Sequence, residues 1–129
     1  MDTSTRVFVG GSRCPIDPDL HEEVLDNLLG KIDPTLRNVN LVYSADFSIL
    51  DRLTLSFAKK YSIAIQPFPI RWKQEGNEAA INRNKQLFST VDYAIIFWDG
   101  FTKEVPYMFE MIKRYKVKVK LIVFEEVDK

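Results

Sequence analysis

Three short segments of the chain carry residue types that bind anions or act as acids. Gly10-Gly11-Ser12-Arg13 combines an arginine with two glycines, whose backbone N–H groups can face an anion because no Cβ blocks the approach. Arg83-Asn84 offers a guanidinium that can hold a phosphate with two parallel hydrogen bonds. Asp99, Glu104 and Glu110 are carboxylates that could act as nucleophile or acid in glycosidic chemistry.

Each segment also has an interpretation that needs no ligand. Two glycines at the end of a strand can simply form a tight turn, and an arginine on a helix is usually a surface residue. Trp72 and Trp98 could stack on the ring of a ligand or belong to the core. The chain contains 18 acidic residues, most of which we expect to be solvated, so three carboxylates alone do not indicate catalysis.

The elements that must position these residues follow from the spacing of the apolar side chains. Strands are predicted at 6–9, 40–43, 63–65, 93–98 and 117–124, and helices at 18–30, 47–61, about 75–89 and about 107–115. Asp46 is a possible N-cap of the second helix. The run from Tyr93 to Trp98 is apolar without alternation, which is typical of a strand covered on both faces. The sequence therefore predicts an α/β fold, an open, mainly parallel sheet of about five strands with helices on both faces.

Composition restricts the classes of protein and partner. At 129 residues the chain is expected to form a single domain, residues 1–129. With 18 basic and 18 acidic residues it has no global positive field for a nucleic acid. Cys14 and His21 are its one cysteine and one histidine, so no Cys/His metal site can form within it, and we expect no cofactor. His21 is expected to be solvated.

The apolar runs bear on location and on the edges of the sheet. The N-terminus is polar and the longest apolar stretch is far too short to span a membrane, so a soluble, cytoplasmic protein without membrane partners is expected. Lys116, Lys118 and Lys120 alternate with valines and predict three cations on one face of the last strand. Protection of a sheet edge is the favoured explanation, and an anion-binding surface is the second.

Four motifs, taken in order, resemble the SLOG superfamily over nearly the whole chain, and most closely its YspA-related branch, itself related to the LOG and DprA groups. They are Gly10 to Arg13 after the first strand, the loop from Pro67 to Trp72, the segment from Ala79 to Asn84, and the strand ending in Trp98-Asp99-Gly100. The resemblance implies a Rossmann-like fold that binds a nucleotide or nucleotide-derived ligand. It also implies a homodimer. The ligand-binding residues that it implies are Gly10, Gly11, Ser12, Arg13, Ser44, Asp51, Trp72, Arg83, Asn84, Asp99 and Gly100.

Two departures from the family pattern weaken catalysis. The segment from Ser44 to Asp51 lacks the glycines of the family and retains only the aspartate, and Glu104-Val105 replaces a Gly-Thr pair that opens a helix. Hydrolytic relatives carry a glutamate where this chain has Met108. We therefore expect ligand binding without efficient turnover. An N-glycoside hydrolase or nucleoside deoxyribosyltransferase-like enzyme is the first alternative, and a protein interaction module with a degenerate pocket is the second.

Overall fold

A computed structural model describes residues 4–127 of the chain. Five parallel strands form one sheet in the order β3-β2-β1-β4-β5. The strands are β1 (Thr5–Gly11), β2 (Val39–Tyr43), β3 (Ala64–Pro67), β4 (Tyr93–Trp98) and β5 (Lys118–Val123). The helices are α1 (Pro18–Ile32), α2 (Ile49–Lys60), α3 (Trp72–Glu75), α4 (Ala79–Thr90) and α5 (Glu104–Arg114), with a 3-10 turn at Gly76–Glu78 between α3 and α4.

The helices cover both faces of the sheet, as predicted. Alternate side chains of a strand point to opposite faces, and Val9 and Ile95 lie in one apolar cluster with residues of α1 and α2. Phe8 and Ile96 lie in the other cluster, which contains residues of α4 and α5. The central strands are therefore buried on both sides, which explains the continuous apolar run of β4. The α/β Rossmann-like class predicted from the sequence is confirmed.

Three local predictions were wrong. Ser48, not Asp46, caps α2, because its side chain accepts a hydrogen bond from the backbone of Asp51. The third predicted helix divides into α3, the 3-10 turn and α4, with Gly76 at a positive φ of 63° at the end of α3. His21 is buried, and it contacts the Thr54 hydroxyl at 3.0 Å.

The buried histidine is neutral in the folded protein. The Thr54 hydroxyl donates its hydrogen to the Leu50 carbonyl, so His21 Nε2 must be the donor toward the Thr54 oxygen. Burial lowers the pKa of His21 to about 4, because the charged form loses its hydration. Its place in the sequence, beside two glutamates, gave no sign of this burial. No helix in residues 4–127 is long and apolar enough to cross a membrane.

Candidate functional site

The predicted site residues follow the strands at the carboxyl edge of the sheet, where open α/β proteins bind their ligands. The strand order arranges the loops along this edge. The loop after β1 (12–17) lies between the loop after β2 (44–48) and the loop after β4 (99–103). The edge contains two groups of polar residues, one between β1 and β4 and one around the loop after β2.

The first group is the β1–β4 junction, which consists of Gly11, Ser12, Cys14, Asp99 and Thr102. The Ser12 hydroxyl donates to Asp99 Oδ1 at 3.1 Å and accepts from the Asp99 N–H at 2.9 Å. The Ser12 N–H donates to the Phe97 carbonyl at 2.8 Å. A Cβ on Gly11 would lie 2.1 Å from the same carbonyl oxygen. The glycine is thus required for the close approach of the two strand ends, and the Ser12 N–H already has a partner.

Asp99 is the acceptor at the centre of the junction. Its carboxylate accepts from the backbone N–H groups of Phe101 and Thr102, the hydroxyls of Ser12 and Thr102, and the thiol of Cys14. Burial alone would raise the pKa of Asp99, but the bonds from Thr102, Phe101 and Ser12 together hold it well below its usual range. A carboxylate with this many internal donors is poorly suited to attack a substrate.

The junction also makes Cys14 unreactive. Burial, followed by the hydrogen bond to Asp99 and its charge, raises the pKa of the thiol to about 11. The thiolate is the nucleophilic form of cysteine, so Cys14 stays protonated at neutral pH.

The second group is the acid–arginine cluster, which consists of Arg13, Asp46, Asp51 and Arg83. Arg13 Nε lies 3.1 Å from Asp46 Oδ2, and the Arg13 side chain is 56% exposed. The Asp46 N–H donates to Asp51 Oδ2 at 2.9 Å, and the two carboxyl groups are close enough for each to shift the pKa of the other. Arg83 is close enough for its charge to act on both acids.

The two acids of the cluster differ in charge. Burial and the hydrogen bond with the Asp46 carboxyl raise the pKa of Asp51 to about 7. Burial opposes the charge of Asp46 as well, yet hydrogen bonds from Asp51 and Ser48 and the charge of Arg13 lower its pKa. Below pH 7 the cluster therefore holds two guanidinium groups against one carboxylate, and a positive charge is left in excess.

Arg83 connects the loops that follow β2 and β3. Its Nη1 donates to the carbonyls of Ser44 at 3.5 Å and Phe68 at 3.2 Å, and its Nε donates to Asn84 Oδ1 at 2.9 Å. The side chain is buried. Arg83 was expected on the surface if it bound no ligand, and the structure gives it a third role, which is to hold two loops together through their backbone carbonyls. Arg13 is thus the exposed arginine of the pair.

The remaining predicted residues belong to neither group. Trp72 begins α3 with 58% of its surface exposed, so it is not a core residue. Gly100 has a positive φ of 86° and open space around it. Glu104 and Glu110 lie on the exposed side of α5. Met108, at the position of the catalytic glutamate of hydrolytic relatives, is buried in the apolar cluster beneath α5.

Three residues of this edge were missed by the sequence reasoning as site residues. Asp46 forms the ion pair with Arg13, and Phe47 and Phe101 are 89% and 86% exposed. Phe47 has a positive φ of 63°, which is costly for a bulky residue. A signal was available, because an aromatic residue follows an aspartate soon after β2 and again after β4.

Two of the helices that begin at this edge, α1 and α5, carry acids in their first turns. Asp17 caps α1 and Asp19 follows it, and Glu104 opens α5. These acids oppose an anion at either helix N-terminus. An anionic ligand at this edge would therefore depend on an arginine side chain.

Comparison of the chain with protein-family models, curated proteins and solved structures finds no match. Membership of the SLOG superfamily therefore stays a prediction that depends on the four motifs.

Proposed function

We propose that the protein binds a small ligand that has an aromatic ring and an anionic group, and that the ligand is a nucleotide or a nucleotide-derived molecule. The observation that carries the proposal is that the exposed Arg13 follows β1, between two strands whose loops expose aromatic rings. Its loop lies between the loops of Phe47 and Phe101 along the carboxyl edge of the sheet. Exposed aromatic side chains stack on bases, and a guanidinium binds phosphate.

The charge of the acid–arginine cluster supports the same ligand class. Arg13 is paired with Asp46, but its side chain is mostly exposed, so it can turn toward an incoming phosphate at little cost. The proton on Asp51 leaves the cluster with a net positive charge below pH 7. A phosphate group would compensate that charge, whereas a cationic ligand would be repelled.

The residues at this edge favour binding without turnover. Asp99 is fully engaged in the β1–β4 junction, and Asp51 is 2% exposed. Efficient glycosidic cleavage requires two carboxyl groups placed on either side of the scissile bond. We therefore expect no release, or only very slow release, of free base when the protein is incubated with nucleoside monophosphates, and chromatography of the reaction mixture measures it.

Calorimetric titration with AMP, and with adenosine as the probe that lacks phosphate, tests the binding proposal. Arg13→Ala should weaken AMP binding by roughly tenfold or more, because a hydrogen bond to a charged group is worth about 1.5–3 kcal/mol. The same substitution should leave adenosine binding nearly unchanged. Phe47→Ala and Phe101→Ala should weaken both probes.

Arg37→Ala is the matched control. Arg37 is also an exposed arginine, but it precedes β2 and therefore lies at the opposite edge of the sheet. Native mass spectrometry of the freshly purified protein extends the test to other bases, because a retained nucleotide adds a discrete mass. Equal AMP affinity in the wild type, Arg13→Ala and Arg37→Ala would contradict the proposal.

A protein interaction module is the second candidate, and the closed β1–β4 junction is the observation that favours it. Ser12 and Asp99 bond each other across the place where the crevice of an open α/β sheet would lie. The exposed rings of Phe47, Trp72 and Phe101 would then contact a protein surface. Absence of a retained nucleotide and of AMP, GMP, CMP and UMP binding would favour this candidate.

A further inference from the structure

Asp46 and Asp51 form a pair of carboxyl groups beside Arg13, called the carboxyl pair below. Asp51 is buried, and its Oδ2 accepts a hydrogen bond from the Asp46 N–H at 2.9 Å. The Asp46 carboxylate lies 3.1 Å from Arg13 Nε, and its side chain is mostly buried as well. Two neighbouring carboxyl groups with little access to water resist carrying two negative charges, because the charges repel each other and neither is well hydrated.

The positive charges that act on the carboxyl pair come from two other parts of the fold. Arg13, in the loop after β1, forms an ion pair with Asp46. Arg83 of α4 acts on both acids through its charge. The hydrogen bonds of Arg83 go to two loop carbonyls and to Asn84, so its guanidinium attracts the acids from a distance. Arg13 is therefore the cation that the pair holds directly.

The other elements packed against α2 present neutral groups to it. His21 of α1 contacts α2 at Thr54 and is uncharged at neutral pH. Tyr43 of β2 lies on the same face of the sheet as the buried Leu41 and contributes an uncharged phenol. On that face the side chains of β1 and β3 are apolar; they are Val7, Val9 and Ile65. The protonation of the carboxyl pair thus depends mainly on the two arginines.

An anion at Arg13 changes the charge that the carboxyl pair can carry. The Arg13 side chain is 56% exposed, and a phosphate that binds it competes with Asp46 for the guanidinium. Asp46 then loses its cationic partner, and the phosphate adds a negative charge nearby. Both changes favour protonation of the pair. We propose that the carboxyl pair takes up a proton from the solvent when an anionic ligand binds Arg13, so that the ligand binds more tightly as the pH falls.

Proton uptake of this kind rests on the proposed function, because it requires an anion at Arg13. In the free protein, burial and the Asp46 carboxyl raise the pKa of Asp51 to about 7. Below pH 7 the proton is already present, and binding needs no further uptake. A bound anion raises the pKa of the pair further, so the affinity should decrease from about pH 7 upward, by at most about tenfold per pH unit for one proton.

Calorimetric titration with AMP at two pH values tests the pH dependence. The wild type should bind AMP roughly tenfold more weakly at about pH 8.5 than at about pH 6. Ionisation of AMP itself does not explain such a decrease, because its phosphate gains negative charge as the pH rises. Adenosine 5′-sulfate, whose charge is constant over this range, should show the same decrease.

The proton itself can be counted by calorimetry. Titration with AMP at about pH 8 in two amine buffers that differ in ionisation enthalpy should give different heats, and the difference should correspond to an uptake of up to about one proton per AMP. Adenosine has no phosphate to compete with Asp46 for Arg13. Its titration should therefore show no proton uptake.

Asp51→Asn tests whether the carboxyl pair is the group that takes up the proton. Asparagine resembles the protonated acid, so the variant should bind AMP roughly tenfold more tightly than the wild type at about pH 8.5. Its affinity should no longer decrease over this range, and its proton uptake should disappear. Asp26→Asn, at an exposed position of α1, is the matched control and should keep the pH dependence of the wild type.

The outcomes separate this inference from the proposed function. An AMP affinity that is constant or increases with pH, and that Arg13→Ala still weakens, would overturn proton uptake and leave the proposed function intact. A decrease with pH that persists in Asp51→Asn would show that the proton binds elsewhere. If Asp51→Asn fails to fold, the comparison of buffers with the wild type decides. Absence of AMP binding at both pH values would overturn the proposed function for AMP and this inference together.

Discussion

The β1–β4 junction and the acid–arginine cluster lie side by side at the carboxyl edge of the sheet, and both contain residues expected to bind a ligand. In the junction, Ser12 and Asp99 bond each other and have further partners within the chain. In the cluster, Arg13 has one ion-pair partner and is largely exposed. The two regions contain similar residue types. They differ in how many of their hydrogen-bonding groups already have a partner within the chain.

This difference shows why the glycine motif is a poor guide to the ligand. Gly11 and Ser12 are required where they are because two parallel strands approach closely at this point. Their presence is explained without a ligand. Arg13 directly follows them, and no comparable packing requirement accounts for it. We therefore expect substitutions in the junction to change the free energy of unfolding more than substitutions in the cluster do.

Gly11→Ala should have the largest effect. The new Cβ would meet the Phe97 carbonyl oxygen at 2.1 Å, at a φ of +131° that side-chain-bearing residues rarely adopt. Overpacking and a strained backbone each cost about 1–3 kcal/mol, so we expect a loss of about 3 kcal/mol or more in the free energy of unfolding, measured by urea denaturation.

Gly30→Ala is the control for this substitution. Gly30 lies in α1 and a Cβ there would have nothing within 4 Å. The substitution should stabilise the protein by about 0.5–1 kcal/mol, because alanine loses less backbone entropy than glycine in a helix. If Gly11→Ala and Gly30→Ala have equal effects, the close approach of β1 and β4 does not constrain residue 11.

Asp99→Asn should have the next largest effect. The asparagine amide has one acceptor oxygen where the carboxylate has two, and its NH2 group would face hydrogen-bond donors. We therefore expect the free energy of unfolding to fall by about 2 kcal/mol. The folded pKa of Asp99 is depressed, so the stability it contributes is present above the unfolded value of 3.8 and is lost as the pH falls through the folded value.

The difference in stability between the wild type and Asp99→Asn should therefore be largest near neutral pH and decrease in acid. Urea denaturation across this pH range measures it. A difference that does not change with pH would mean that the ionised carboxylate has no special role in the junction.

Asp51→Asn should have the smallest effect, and it should be stabilising. The folded pKa is raised to about 7 from the ordinary value of 3.8, so the fold favours the protonated form. The stability that this group contributes is fully present below pH 3.8 and is lost as the pH rises through about 7. Asparagine resembles the protonated acid and cannot ionise. Above pH 7 the free energy of unfolding of the variant should therefore exceed that of the wild type by on the order of 1 kcal/mol.

Thermal unfolding of Asp51→Asn and of the wild type at acidic and alkaline pH measures this gain. Asp26→Asn, at an exposed position of α1, is the control and should show no such pH dependence. A gain for Asp51→Asn that is equal at both pH values would show that the two carboxyl groups of the cluster do not share a proton.

The fold could be predicted from the sequence because its signals are local. Apolar residues at strand or helix spacing identify four of the five helices and all five strands, since each element buries a face of its own. The continuous apolar run of β4 predicted a central strand covered on both faces, and the order confirms that β4 lies inside the sheet. α3 and the start of α2 were predicted less well, because they depend on single cap residues, Gly76 and Ser48.

The site could be predicted only as a set of loops. That Gly11, Arg13 and Asp99 lie at one edge followed from the parallel sheet, and the family resemblance added Arg83. Their roles did not, because a role depends on which partners are within hydrogen-bonding distance. Asp99 bonds Ser12, which is 87 residues away in the chain, and Arg83 bonds two carbonyls that are 15 and 39 residues away. Burial of His21 and protonation of Asp51 were equally hidden, since both depend on desolvation by distant residues.

The sequence by itself thus determined the elements, their alternation and the edge where polar residues gather, because these depend on periodicity within short segments. Only the tertiary structure decided that Asp99 and Arg83 are engaged in holding loops, that Arg13 is exposed, and that its loop lies between the loops of Phe47 and Phe101. The physical reason is that a hydrogen bond needs two groups and that exposure depends on the neighbours of a side chain. Strand order and packing decide which residues become partners and neighbours.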